Sequence, residues 1–164
     1  MKKLFIVLLL ISTPVFAQYA LKNGAMQLNA GIGFSSWGLP VYAGLDFGVH
    51  KDISVGAEVS YRSYGEDWGN SKFNHTIIGI SGNANYHFNN ILQVDTKWDL
   101  YAGLNIGFYN WSSPGGYGGS GNSGLGIGAQ VGGRYYFSNN LGLNLEFGGG
   151  NSFSGGKFGI SYIF

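Results

Sequence analysis

The chain lacks cysteine, contains only three prolines, and has few charges, since Asp, Glu, Lys and Arg make up 10% of its 164 residues. Without cysteine there is no disulfide framework and no residue to which a lipoprotein anchor could be attached. Ordinary soluble domains carry about 25% charged residues, so this composition disfavours them. What the chain has instead is 30 glycines and 16% aromatic residues.

A long apolar run is also missing. The longest is Leu4–Ile11, whereas a membrane-spanning helix needs about 20 such residues. Lys2–Lys3 precede this run and Val15–Ala17 follow it, which together predict a secretory signal peptide over residues 1–17 and a single domain over 18–164. Loss of the two lysines changes the formal charge from +1 to −1. With no basic cluster, the sequence gives no basis for nucleic-acid binding.

The rest of the chain alternates between apolar and polar residues with a period of two, which is the signature of β-strands. Frequent glycine and the absence of an apolar stripe at helical spacing disfavour helices. Eight alternating segments are predicted: Ala25–Ser36, Val41–Val49, Ile53–Arg62, Thr76–Phe88, Trp98–Tyr109, Leu125–Phe137, Leu141–Gly148 and Lys157–Phe164. We therefore expect an all-β protein, an eight-stranded antiparallel up-and-down barrel.

The connections between these segments alternate in length. Tight turns are predicted at 50–52, 89–93 and 138–140, and long links at 64–74, 110–122 and 149–156, while the first link, 37–40, is short. Tight turns at one end and longer loops at the other are typical of outer-membrane barrels.

Charged residues are sorted between the two faces of the predicted strands. All seven in the strand cores fall on the face that also carries glycine and polar residues: Asp46, Glu58, Arg62, Asp99, Arg134, Glu146 and Lys157. A soluble barrel would turn its polar face to water, but here the apolar faces are too large and too uniform to fill a narrow interior. An Arg or Lys facing lipid at the bilayer midplane costs about 2–4 kcal/mol. We therefore predict a transmembrane barrel with the charges in its lumen. A soluble barrel with an internal ligand cavity is the alternative.

Aromatic residues are concentrated towards the ends of the strands, as expected of belts at the two membrane interfaces. Those near the long links are Phe34, Trp37, Tyr61, Tyr64, Phe108, Tyr109 and Trp111. Those near the tight turns are Tyr86, Phe88, Trp98, Tyr135, Phe137, Tyr162 and Phe164.

The charged lumen residues have two interpretations, a paired polar plug and an ion path. Across the 138–140 turn, Arg134 and Glu146 are expected to be directly opposed or diagonal, within reach of each other. An eight-stranded barrel is only just wide enough for its own side chains, which favours the plug. We predict a structural role for these residues and no catalytic, metal or cofactor site. The one combination that could serve a lipid-modifying enzyme is His75 with Ser71 or Ser81 and Asp67.

On this pattern the chain resembles the small eight-stranded outer-membrane proteins of the OmpA/OmpX type. Phe158, Ile160, Tyr162 and Phe164 look like the C-terminal strand signal that the outer-membrane assembly machinery recognises. The resemblance implies a bacterial outer-membrane location, periplasmic termini and tight turns, and long links outside the cell. It also implies contact with outer-membrane lipid and lipopolysaccharide.

The resulting expectation is a non-enzymatic barrel with a structural or surface-interaction role. An unidentified surface partner would bind through the loops 64–74 and 110–122. A narrow pore for small solutes or ions is the alternative, and a lipid-modifying enzyme is the third candidate.

Overall fold

The computed structural model of the chain describes residues 21–35, 38–68, 71–113, 123–151 and 154–164. The predicted signal peptide, residues 1–17, lies outside them. The strands are β1 (Met26–Ser35), β2 (Val41–His50), β3 (Ile53–Trp68), β4 (Ser71–His87), β5 (Trp98–Ser112), β6 (Gly124–Tyr136), β7 (Leu141–Gly150) and β8 (Gly155–Ile163). A one-turn helix, α1 (Asn89–Leu92), lies between β4 and β5.

Each strand pairs antiparallel with the next along the chain, and β8 pairs with β1, so the sheet closes into a barrel. The predicted fold class is confirmed. We call the end that carries the β2–β3, β4–β5 and β6–β7 connections the turn end, and the opposite end the loop end. Within the described part of the chain, no helix is long and apolar enough to cross a membrane.

The barrel buries polar groups and exposes apolar ones, the reverse of a soluble protein. Leu125 is 69% exposed and Leu104 66%, whereas Gln27 is fully buried and Asn85 is 2% exposed. Outward-facing apolar side chains suit hydrocarbon, and the closed ring of strands pairs the backbone groups that hydrocarbon could not solvate. The soluble alternative, with its apolar side chains inside, does not match this arrangement.

Lumen tyrosines lie over glycines of neighbouring strands. A Cβ atom at Gly132 would stand 2.5 Å from the Tyr101 ring, and one at Gly79 would stand 2.8 Å from the Tyr109 ring. The missing side chains therefore leave room for large rings to lie across the narrow interior. This accounts for glycine on the polar face of the strands, where it alternates with charged and amide residues.

The prediction of a loop over 64–74 is wrong. β3 continues to Trp68 and β4 begins at Ser71, with Tyr64 paired to His75 and Trp68 to Ser71. The apolar alternation stops where the strands leave the membrane, but backbone pairing continues because a hairpin in water needs no lipid-facing side chains. We call residues 64–68 and 71–75 the outer hairpin.

The other long links are also shorter than predicted. β5 extends to Ser112, and residues 114–122 of the predicted 110–122 loop lie outside the described part. β7 and β8 leave only residues 151–154 between them. Asn151 extends the contact of β7 with β6, because its backbone N–H donates to the carbonyl of Ile127 on β6 and its side chain accepts from the Ile127 N–H.

The turn end is closed by short connections. The predicted turn at 89–93 contains α1, which the sequence pattern did not show because four residues are too few for a helical period. Asn89 holds it against β5 by donating to the Trp98 carbonyl and accepting from the Leu100 N–H. The N-terminal side of β1 lies close by, where the Gly24 N–H donates to the Gly48 carbonyl and Leu21 is 3% exposed.

Candidate functional site

An ion cluster centred on Arg134 crosses the lumen towards the turn end. Arg134 on β6 stands opposite Asp99 on β5 in the strand register. Its Nη1 is 2.7 Å from Asp99 Oδ2, and its Nη2 is 2.7 Å from Asp46 Oδ2 on β2. All three side chains are at most 3% exposed. One guanidinium therefore links two carboxylates from opposite sides of the barrel. Its central carbon, Cζ, lies 4.2 Å from the centre of the Tyr101 ring.

His87 extends this cluster towards the turn end. Its Nδ1 lies 2.6 Å from Asp99 Oδ1, and its Nε2 lies 2.9 Å from Ser54 Oγ. Ser54, His87 and Asp99 lie on the adjacent strands β3, β4 and β5, and each is at most 2% exposed. We call Asp46, Asp99, Arg134, His87 and Ser54 the inner cluster.

A second ion cluster lies nearer the loop end. Lys157 Nζ on β8 is 2.9 Å from a carboxylate oxygen of Glu58 on β3 and 2.9 Å from one of Glu146 on β7. The Tyr101 hydroxyl donates to the other Glu146 oxygen at 2.9 Å. We call Glu58, Glu146 and Lys157 the middle cluster. In both clusters, therefore, one cation lies between two carboxylates.

Arg62 is the predicted lumen residue placed apart from these clusters. It lies further towards the loop end and is 2% exposed, with its guanidinium carbon 5.8 Å from the Tyr109 ring centre. The structure thus places all seven predicted charges in the lumen and brings six of them together in two groups. The four carboxylates and three cations among these seven residues sum to a formal charge of −1.

Arg134 and Glu146 take the diagonal placement, one of the two that the sequence predicted. The register sets Arg134 opposite Asn144 and Glu146 opposite Gly132, so the two charges are diagonal. Each has a nearer partner elsewhere, since Glu146 stands directly opposite Lys157 on β8. Arg134 turns to Asp99 on β5 and across the lumen to Asp46, which strand alternation alone does not reveal.

Neutral polar residues, which the sequence analysis did not single out, join the ion clusters. The Tyr42 hydroxyl donates to Asn144 Oδ1 at 2.7 Å, and Asn144 donates to Ser161 Oγ at 3.0 Å. Ser161 donates to Asn29, which in turn donates to Asp46 Oδ2 at 2.9 Å. These residues share the polar face with the charges, and that shared face is the signal that could have found them.

Two cavities lie in the half of the lumen towards the loop end. The outer one is bounded by Arg62, Tyr109 and Pro40, and both cavities touch the middle cluster. The inner one ends at Arg134 and Asp46, and neither is lined by Ser54 or His87. Space inside the barrel is therefore found above Arg134, on the loop side of the inner cluster.

His75 is not combined with Ser81 or Asp67, and the side chain of Ser71 lies outside the described part of the structure. Ser81 is six residues further along β4, about 20 Å in an extended strand, and Asp67 pairs with Lys72, three residue pairs above His75. His75 is fully buried instead against Tyr64 and Trp111, with Nδ1 3.0 Å from Ser113 Oγ. The described residues contain no group of three His, Cys, Asp or Glu side chains spaced to hold a metal ion.

The aromatic residues near the loop end do not all face lipid as a belt would. Tyr61 and Phe108 do, at 49% and 50% exposure. Tyr109 instead lines the outer cavity, and Tyr64 and Trp111 pack on His75, because their strand positions place them on the lumen face. Trp37 lies outside the described residues.

The residues of the predicted C-terminal signal lie on the lipid face of the closing strand. Phe158, Ile160 and Phe164 are 49%, 52% and 53% exposed, and Tyr162 is half-buried against Phe164. Their alternation with lumen residues continues that of the other strands.

The barrel is similar to solved outer-membrane barrels. OprG from Pseudomonas aeruginosa has a TM-score of 0.70 at 10% identity, covering 90% of this chain and 99% of that one. The N-terminal β-barrel domain of OprF from the same organism has a TM-score of 0.59 at 14% identity, covering 87% and 98%. A designed transmembrane β-barrel has a TM-score of 0.56 at 21% identity, covering 87% and 98%.

No family model and no curated protein matches the chain. The designed barrel is more similar in sequence, at 21% identity, than the two natural ones, so the likeness is one of strand pattern and architecture. The resemblance predicted from the sequence is therefore confirmed at the level of the fold: the chain has the fold of small eight-stranded outer-membrane barrels.

Proposed function

We propose that the chain is a non-conducting integral protein of the bacterial outer membrane, exported by a cleaved signal peptide, that acts through its loop end as a structural or surface-interaction protein. The observation that carries this proposal is Arg134, which ties β6 to β5 and, across the lumen, to β2 through 2.7 Å contacts. With the middle cluster above it, this arrangement fills the interior with paired charges. Within the described part of the chain, the outer hairpin extends beyond the last β4–β5 residue pair at the loop end.

The proposed environment follows from the two faces of the barrel. The lipid face would contact outer-membrane lipid, with lipopolysaccharide at the loop end. The outer-membrane assembly machinery would recognise β8 during insertion. A surface partner would meet the outer hairpin and the neighbouring 110–122 segment. Loops on rigid scaffolds commonly carry binding functions, and the paired strands of the hairpin give such a scaffold.

The orientation can be tested by lysine labelling on intact cells. Lys72 lies in the outer hairpin, whereas Lys51 and Lys97 lie at the turn end. We expect a membrane-impermeant amine reagent to label Lys72 and to spare Lys51 and Lys97 until the cells are broken. Labelling of Lys51 or Lys97 on intact cells would contradict the proposed orientation.

The closed lumen can be tested by planar-bilayer recording of the refolded protein. We expect no steady conductance, because Arg134 is tied across the lumen to Asp99 and Asp46 by 2.7 Å contacts. The cavities above Arg134 are the observation that favours the second candidate, a narrow pore. A stable open current from the unmodified protein would support that pore and refute the closed lumen.

We propose no enzymatic role, although one group has the spacing of a catalytic triad. Ser54, His87 and Asp99 are linked at 2.9 and 2.6 Å, as in serine hydrolases. Ser54, however, is fully buried and borders neither cavity, so its hydroxyl cannot meet a substrate. We expect no labelling by a fluorophosphonate probe. Labelling of Ser113, which is exposed beside His75, would instead support the lipid-modifying alternative.

A further inference from the structure

The pairing of β1 with β8 closes the barrel and joins the two ends of the chain. All other strand pairs join neighbours in sequence, whereas Asn29 and Ser161, which meet across this seam, are 132 residues apart. The entropic cost of closing a loop rises with its length, so this is the most expensive pairing to form. We call the β1–β8 boundary the closing seam.

The seam has few lumen side chains of its own in its loop-end half. Gly31 on β1 stands opposite Gly159 on β8, and a Cβ atom at either would lie 2.2 Å from a backbone oxygen of the other strand. The backbones therefore approach closely, and no pair of side chains can lock the strands at that point. Other elements must supply contacts across it.

Two tyrosines reach over the seam from opposite sides. Tyr42 starts on β2 and passes beside Gly159, and its hydroxyl donates to Asn144 on β7 at 2.7 Å. Tyr136 starts on β6, and its hydroxyl oxygen lies 2.5 Å from the side-chain amide of Gln27 on β1. Each hydrogen bond thus joins a strand before the seam to a strand after it.

The groups that form these two hydrogen bonds are largely buried, which increases the effect of each bond on stability. Tyr42 is 7% exposed, Asn144 is 4% exposed and Gln27 is fully buried. Leaving a buried polar group without its hydrogen-bond partner costs more free energy than leaving one that water can reach. Breaking either bond therefore weakens the closed state by more than an exposed hydrogen bond would.

We infer that Tyr42 and Tyr136 are latches that hold the closing seam shut, so that the barrel does not open sideways between its first and last strands. They act from the lumen and add to the direct Ser161–Asn29 hydrogen bond across the seam, beside the bare Gly31–Gly159 pair. Each latch needs strands from both ends of the sequence, β2 and β7 for Tyr42 and β1 and β6 for Tyr136. The latches do not depend on what the loop end binds.

Tyr101 provides a matched control. It is a buried lumen tyrosine whose hydroxyl donates to Glu146 at 2.9 Å, but it joins β5 to β7 and does not cross the seam. Removing its hydroxyl deletes the same kind of bond at a different place in the ring of strands.

The test is amide hydrogen exchange on the full-length protein refolded in lipid nanodiscs, resolved by strand. We expect Tyr42→Phe and Tyr136→Phe each to speed exchange of seam amides in β1 and β8 by about 2- to 10-fold, as expected for one hydrogen bond, and the double variant to speed it further. Exchange in the β3–β4 pair should stay close to that of the unmodified protein. Tyr101→Phe should leave the seam amides unchanged.

The inference is overturned if seam exchange is unchanged in the double variant, if it rises uniformly through all strands, or if Tyr101→Phe speeds the seam as much as Tyr136→Phe. Should a tyrosine variant fail to fold, Gln27→Leu removes the Tyr136 partner from the other side of the seam. It should give the same local increase, and an unchanged seam in this variant would equally refute the latch.

Discussion

Arg134 links two carboxylates in the interior of the barrel. Its guanidinium compensates both Asp46 and Asp99, and all three are nearly inaccessible to water. Removing one partner of a buried ion pair costs about 3–5 kcal/mol, because the remaining charge is left without compensation. We expect Arg134→Ala to lower the free energy of unfolding by this order, measured by urea titration of the protein refolded in lipid vesicles.

Lys97→Ala is the control for Arg134→Ala, since Lys97 is exposed at the turn end. Exposed substitutions away from special features usually change stability by less than about 0.5 kcal/mol. If both variants unfolded at the same urea concentration as the unmodified chain, Arg134 would not be holding the lumen together.

Gly132 and Gly133 are neighbours on β6 but face opposite sides of the sheet, Gly132 the lumen and Gly133 the lipid. A Cβ atom at Gly132 would stand 2.5 Å from the Tyr101 ring and 3.0 Å from the Leu145 carbonyl oxygen. One at Gly133 would meet the end of the Leu100 side chain at 3.2 Å. Overpacking of a filled interior typically costs about 1–3 kcal/mol, so Gly132→Ala should be clearly destabilising in the same titration.

Gly133→Ala is the matched control, because Leu100 can move aside into lipid. We expect it to stay within about 0.5 kcal/mol of the unmodified chain. Equal effects of the two substitutions would mean that Tyr101 is not packed over Gly132 as described.

At the residue scale, the sequence predicts which face a side chain occupies but not its partner. The period of two places Asp46, Arg134 and Glu146 on one face. Which of them meet depends on the strand register and on how far the strands are tilted around the barrel. Arg134 therefore could be assigned to the lumen, whereas its contact with Asp46 on a distant strand could not.

At the element scale, the membrane part of each strand was predictable and its extension into water was not. The apolar alternation of β3 stops near Arg62, yet the strand continues to Trp68. Lipid demands an apolar side chain at every second position, and water makes no such demand, so a polar stretch is compatible with either a loop or a strand. The outer hairpin belongs to that ambiguous class.

The outer hairpin should be dispensable for folding. Its residue pairs stand beyond the level at which β2 pairs with β3, which ends at Val41 and Tyr61. Replacing residues 65–74 by a short Gly-rich turn should therefore leave the closed barrel intact. The measurement is gel mobility of unboiled protein, which should still shift on boiling.

A replacement of equal length inside the membrane is the control for that experiment. Removing residues 77–86 deletes most of the β4 segment that pairs with β5, and with it the closed ring. We expect that variant to show no folded band. Loss of the folded band in the hairpin replacement as well would show that residues 65–74 are needed for assembly.

At the scale of the whole molecule, the sheet is closed, and its apolar side chains face outward while its polar side chains face inward. Both features stabilise the barrel in a membrane. The described strands leave no unpaired edge within the barrel, since β8 returns to β1. Opening such a ring requires breaking one complete strand pair together with the lumen contacts that cross it. A closed barrel of this kind should resist denaturation by detergent at room temperature and yield only on heating.

Heat modifiability is therefore the measurement that checks the molecule as a whole. The refolded chain, residues 18–164, should migrate as a compact band when unboiled and shift to its unfolded position after boiling. Far-UV circular dichroism of the unboiled sample should show β-structure. The exposed side chains of Leu104 and Leu125, among others, should also keep the protein insoluble without detergent or lipid.

A single band with and without boiling, from a protein soluble in plain buffer, would mean that the apolar faces are turned inward. The ion clusters would then face water, and the barrel described here would be wrong.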